Sequence, residues 1–168
     1  ACVGLAAAVI HASDENATMA VLPADHVIGP RDEFQRSLKA GAEVAEAGAN
    51  FVTYGIVPDY PATGYGYIQR ADKHSDPHGV ECFNVDSFKE KPDQATAEKF
   101  LESGEYLWNS GIFVWTSSTI LNAIAEHMPD LDSGLQKIVA TVGSSAYQST
   151  VDAIYPSLPA EPVDIGIM

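Results

Sequence analysis

Basic residues are scarce in this 168-residue sequence. Nine Lys and Arg stand against 23 Asp and Glu, for a formal net charge of −14. That balance speaks against a nucleic acid or an anionic membrane as partner, because either needs a basic face. A phosphorylated small molecule is still admissible, but the chain has few cations to offer it. A metal ion or helix N-termini would supply the rest. Two cysteines, Cys2 and Cys82, make no disulfide framework, and each reads as a small buried hydrophobe. No apolar run reaches the roughly 18 residues of a membrane span. "GLAAAVI" is too short, and no basic region precedes it as in a signal peptide. Cytoplasm is the expected location. The chain opens without Met inside helical-looking sequence and stops at "VDIGIM" with no cap or tail. The expectation is a piece of a longer polypeptide.

What is present is globular, with 46% hydrophobic and 19% charged residues. "ACVGLAAAVIHAS" predicts a helix and "ATMAVLPAD" a short buried strand. In "RDEFQRSLKAGAEVAEAGA", Phe34, Leu38 and Val44 recur at helical spacing, with acids in the first turn and Gly48 as a stop. "NFVTYGIVP" is strand-like up to Pro58. Helix, strand, helix, strand implies a parallel sheet with crossover helices. Then the pattern changes. "DYPATGYGYIQRAD" is a Pro/Gly loop leading into a strand, "KHSDPHG" a turn and "VECFNVDSFKEKP" a second strand, and the two strands read as an antiparallel pair. "DQATAEKFLESG" reads as a helix from Asp93 or Thr96 to Gly104, and "YLWNSGIFVWTSS" as a strand. Three helices follow, and "EPVDIGIM" looks like the start of another strand. No repeat and no linker marks a domain boundary.

Four stretches carry side chains suited to chemistry. "VLPADHVI" runs an apolar strand into Asp25 and His26. Asp25 is either a cap for the next helix or a hard-metal ligand at the strand's carboxyl end, where open α/β sheets bind ligands. Mg²⁺ is usually held by one or two carboxylates plus substrate phosphates. His26 reads as packed at the turn. "TGYGYI" places Gly64 and Gly66 around Tyr65, and glycines allow close approach of a ligand to main chain. It is neither a Walker A loop nor a dinucleotide G-x-G-x-x-G. In "FKEKPD", Glu90 suits two sugar hydroxyls and Lys91 a phosphate. Strand alternation puts them on opposite faces unless a bulge re-aims one. In "WNSGIFVW", Asn109 is polar within a core strand, as a structural or a hydroxyl-binding residue.

In this order, "LPADHVI", "GYGYI", "FKEKPD", "WNSGIFVW" and "VDIGIM" resemble the sugar-1-phosphate nucleotidyltransferases, and among them the mannose-1-phosphate guanylyltransferase branch. The resemblance covers nearly the whole chain. It implies a Rossmann-like α/β fold, the nucleotide-diphospho-sugar transferase type, with a mainly parallel mixed sheet flanked by helices. Residues 1–168 would be the central and acceptor-sugar part of one nucleotidyltransferase domain, truncated at both ends. It implies that Asp25 and Asp164 hold Mg²⁺ or another divalent cation. Gly64 and Tyr65 would line the sugar, and Glu90 and Asn109 would meet its hydroxyls. Lys91 would meet phosphate, so Asp25 and Lys91 are the catalytic pair. GTP and mannose 1-phosphate would be the partners, in a possible homo-oligomer, giving GDP-mannose and pyrophosphate. The family's Gly-rich loop, roughly G-G-x-G-T-R-L-x-P, is absent from this sequence. The chain alone is therefore expected to be inactive. A nucleotidyltransferase for another sugar or base is the near alternative, and a non-catalytic sugar-phosphate-binding regulatory module the distant one.

Overall fold

Seven α-helices and five strands are present in a computed structural model that describes residues 1–167. The chain divides into two compact units. One comprises Ala1–Met19, Ala45–Phe51 and the chain from Trp115 onward; the other comprises Ala20–Val44 and Val52–Val114. Of the four divisions, three fall inside strand β1 (Thr18–Val21), helix α2 (Arg31–Glu46) and strand β5 (Tyr106–Thr116), and the fourth falls between Phe51 and Val52. This is why no linker shows in the sequence.

The first unit is a helical layer built on small residues. Helix α1 (Cys2–Ser13) buries Gly4, Ala7 and Ala8, spaced three and four apart on one face. A methyl at Gly4 would sit 2.8 Å from Leu135 Cδ1 and 3.1 Å from Ile124 Cδ1, so α1 lies tight against α4 (Ser117–His127) and α5 (Pro129–Val139). Those two helices fill the core with Ile120, Ile124, Leu131, Leu135 and Ile138. Helix α4 starts on the Thr116 hydroxyl, which accepts the Thr119 N–H. His11 Nδ1 meets the buried Ser117 hydroxyl at 3.0 Å. Helix α6 (Tyr147–Ile154) completes the layer. The last segment departs from expectation. Asp164 lies in a single helical turn, α7 (Val163–Gly166), and not in a strand. Pro162 has no N–H to give a ladder, and its carbonyl accepts from Gly166 N, which closes the turn. Met168, which ends "VDIGIM", lies outside the described residues.

The second unit carries the sheet. Strand order is β1–β5–β3–β4, with β2 (Val52–Ile56) also pairing β5. The pairs β2·β5, β3·β4 and β3·β5 are antiparallel. The α/β architecture with a sheet flanked by helices is as the sequence implies, but these three pairings are antiparallel where a mainly parallel sheet was expected, because β2 takes β5 as its partner and not the strand before α2. β5 is the longest strand, rich in aromatic and β-branched residues, and it offers the better surface. β3 (Tyr67–Ser75) and β4 (Cys82–Lys89) form the expected hairpin. Helix α3 (Gln94–Ser103) has Asp93 as N-cap, accepting from Thr96 N, and Gly104 at φ 68° as its stop. Hydrogen bonds from the Thr96 hydroxyl and then its N–H hold the Asp93 carboxyl below its ordinary pKa. Neither cysteine is fully buried: Cys2 is exposed and Cys82 half-buried. Cys2 is the second residue of the chain and the first of α1, and the buried face of that helix is carried by Gly4, Ala7 and Ala8 instead.

Candidate functional site

The second unit holds a cavity of about 690 Å³. One wall is the loop Asp25–Gly29, which leaves β1. Phe34 and Ser37 of α2, Tyr54 to Ile56 of β2, Tyr65, and Trp108 to Ser110 with Ile112 of β5 make up the rest. The volume suits a ligand of sugar-phosphate size.

Asp25 sits in a turn, exposed, with no protein partner among the described residues. Helix α2 begins only at Arg31 and uses Pro30 O to accept the Phe34 N–H, so Asp25 does not cap it. His26 is also exposed and lines the cavity, where packing at the turn was expected.

Opposite stands "WNSG". Between β2 and β5, Thr53 pairs with Phe113 but Gly55 pairs with Asn109, so β5 carries extra residues there. The bulge is Asn109–Ile112, with Gly111 at φ 70°. Asn109 Oδ1 accepts the Gly111 N–H at 3.2 Å, and Ser110 Oγ accepts the Ile112 N–H at 3.2 Å. These side chains satisfy donors that the bulge removes from the ladder. Gly111 also lies under Pro23, which would be 3.5 Å from a methyl there. The bulge thus supports the loop that carries Asp25.

Tyr65 and Trp108 make the aromatic wall, and Tyr60 packs on Trp108 outside the cavity lining. Both tyrosine rings meet Trp108 edge-on, with centroids 4.9 and 5.1 Å away. A hydrogen bond with Tyr65 raises the Tyr60 pKa. Tyr65 is half-exposed and faces the cavity.

Glu90 and Lys91 leave the end of β4. Lys91 has φ 41°, a left-handed backbone unusual outside glycine, and its Nζ meets Glu90 Oε1 at 2.8 Å. No bulge re-aims either residue; a single left-handed residue brings the ammonium onto the carboxylate. Glu90 Oε2 lies over Gly66, 2.7 Å from where a Cβ would be, while a Cβ at Gly64 would meet open space. Of the two glycines Gly66 is the crowded one: a Cβ there would push the Glu90 carboxylate aside and meet the Phe88 ring at 3.3 Å. Asp164 belongs to the first unit.

Three predicted residues, Asp25, Tyr65 and Asn109, thus line one cavity, and Glu90 with Lys91 sits at Gly66, the residue after Tyr65. Sequence reasoning missed Tyr60 and Thr53. Nothing local marks Thr53, whose role depends on a partner 56 residues away.

A family model described as nucleotidyl transferase matches residues 1–153. Mannose-1-phosphate guanylyltransferase of Escherichia coli K12 is 37% identical over 159 residues, which are 94% of this chain and 33% of that protein. The enzyme of the same name from Klebsiella pneumoniae is 39% identical over 151 residues, 89% of this chain and 32% of its own. The crystal structure of a Thermus thermophilus protein described as mannose-1-phosphate geranyltransferase superposes with a TM-score of 0.82 at 28% identity, covering 99% of this chain and 46% of that one. The chain spans about a third of the length of the curated relatives it matches.

Proposed function

The chain belongs to the nucleotidyl transferase family, and on that premise we propose that the protein it is part of transfers guanylyl from GTP to mannose 1-phosphate. The observation that carries this reading is the cavity of the second unit, where Asp25, Tyr65 and Asn109 meet although they are far apart in sequence. Tyr65 and the Gly64–Gly66 backbone line the sugar. Asn109 and Glu90 meet hydroxyls, and Lys91 meets a phosphate oxygen. The Glu90–Lys91 pair is exposed, so it adds little to stability, and its use is to fix two side chains of opposite charge beside the cavity.

Asp25 is a carboxylate at the cavity, and no protein cation neutralises it among the described residues. That donor fits a hard divalent cation such as Mg²⁺ whose remaining positions are filled by phosphate oxygens. When bound, such a cation supplies charge stabilisation to the phosphates during transfer. The nucleophile is a phosphate oxygen, already an anion, so the protein need not remove a proton. Its residues orient that oxygen toward the α-phosphorus of GTP, and pyrophosphate leaves in line. A cytoplasmic site of action follows from these substrates.

The test is pyrophosphate release by the full-length protein, with GTP and other nucleoside triphosphates against several sugar 1-phosphates. Turnover that favours GTP and mannose 1-phosphate is the expected result. Turnover with another pair corrects the substrates, and no turnover with any pair leaves a sugar-phosphate-binding module.

A further inference from the structure

Asn109 is oriented from behind. Its Oδ1 accepts from the Thr53 hydroxyl at 3.0 Å and from the Gly111 N–H at 3.2 Å. A backbone N–H can only donate, so it is the oxygen of the Asn109 amide that faces the bulge. The amide then has Nδ2–H₂ to offer the cavity it lines, and that group has no protein partner among the described residues. Thr53 is half-buried in β2 and is not part of the cavity lining. Its hydroxyl also lies 3.2 Å from Ile112 O, at the far end of the same bulge. The register slip makes these contacts: Thr53 is opposite Phe113, yet the extra residues of β5 bring Asn109 and Ile112 back to it.

We propose that Thr53 is a positioning residue, holding Asn109 as a donor toward the cavity so that the site selects a ligand with an oxygen acceptor at that point. This rests on the sugar 1-phosphate reading, in which the acceptor is one sugar hydroxyl. Removing the Thr53 hydroxyl leaves the amide held by one hydrogen bond in place of two. A rotated amide presents the wrong group, and the site then tolerates a ligand that lacks that hydroxyl.

The experiment measures calorimetric dissociation constants of mannose 1-phosphate and a set of its monodeoxy analogues on the full-length protein. Wild type, Thr53→Val, Thr53→Ser and Asn109→Ala are compared. At the sugar position where Asn109→Ala abolishes discrimination, Thr53→Val should weaken it roughly three- to tenfold, the range of one net hydrogen bond. Thr53→Ser, which keeps the hydroxyl, should discriminate like wild type. Two outcomes overturn the proposal while the functional reading stands: discrimination unchanged in Thr53→Val, or affinity lost equally for every analogue, which is a structural effect alone. Failure of the wild type to bind mannose 1-phosphate removes the functional reading and this inference with it.

Discussion

Asp25 and Tyr54 lie on one cavity, yet their environments set them to opposite tasks. Asp25 is exposed and unpartnered among the described residues. Asn in its place keeps shape and turn-forming oxygen but loses the charge. We therefore expect Asp25→Asn to lower kcat of the full-length enzyme by about two orders of magnitude or more, in line with the several kcal/mol that metal catalysis contributes. Its thermal midpoint should stay near that of wild type. Near-normal turnover at saturating Mg²⁺ would overturn the proposal that Asp25 holds the cation. Tyr54 is different. Its ring packs on Gly41 and its hydroxyl donates to Ser37 O at 3.2 Å. Burial, and then the neighbouring Cys82, raises its pKa from 10.0 to about 12. A group whose pKa rises on folding stabilises the fold below its unfolded pKa and ceases to do so as pH climbs through the folded one. This contribution is therefore complete below pH 10 and fades toward 12. An ultraviolet absorbance titration should show a tyrosine step near pH 12, and Tyr54→Phe should remove that step.

Among the elements, β5 does most to make the site, and its bulge turns on Gly111. Gly111→Ala meets only an ordinary contact with Pro23, so its penalty is the left-handed backbone, about 1–2 kcal/mol. Chemical denaturation should read that loss, and KM for the sugar 1-phosphate should rise as the bulge relaxes and Asn109 shifts. An unchanged KM would show that the bulge does not set the site. The elements themselves were legible wherever periodicity, caps and stops agreed. Helix α3 starts at its Asp93 cap and ends at Gly104, both evident in the sequence. Strand pairing was less legible, because the partner of β2 is chosen by the surface of β5 and not by chain order. The strand expected at "EPVDIGIM" failed because an apolar run beside a proline is as compatible with a helical turn as with a strand. Asp25, Tyr65 and Asn109 were readable from motif order. Thr53 was not, since a threonine in a β-branched strand reads as strand propensity alone.

At the scale of the molecule, charge is divided unevenly. The first unit contains nine of the 23 acidic residues but only one of the nine basic ones, Lys137. Within this chain, the cations that a phosphorylated ligand could meet therefore lie almost entirely in the second unit. Residues 1–168 alone should therefore make no GDP-mannose, since they contain no Gly-rich triphosphate loop and an unplaced reactant forfeits an effective molarity of roughly 10⁵ M or more. Chromatographic detection of the product with this chain alone would show that the nucleotide site had been misplaced. The two units also differ in when they can be finished during synthesis. The second is complete once residue 114 has emerged, whereas the first begins with α1 and waits for α4 and α5. The His11–Ser117 bond joins residues 106 apart, a delay of roughly 5–20 s at the ribosome's pace of about 5–20 residues per second. Through that interval the small-residue face of α1 lacks its contacts with α4 and α5. Helix α1 is thus locked against α4 and α5 only after about a hundred further residues have been made, and a translational pause between residues 14 and 116 would leave its buried face open to chaperones or to wrong partners.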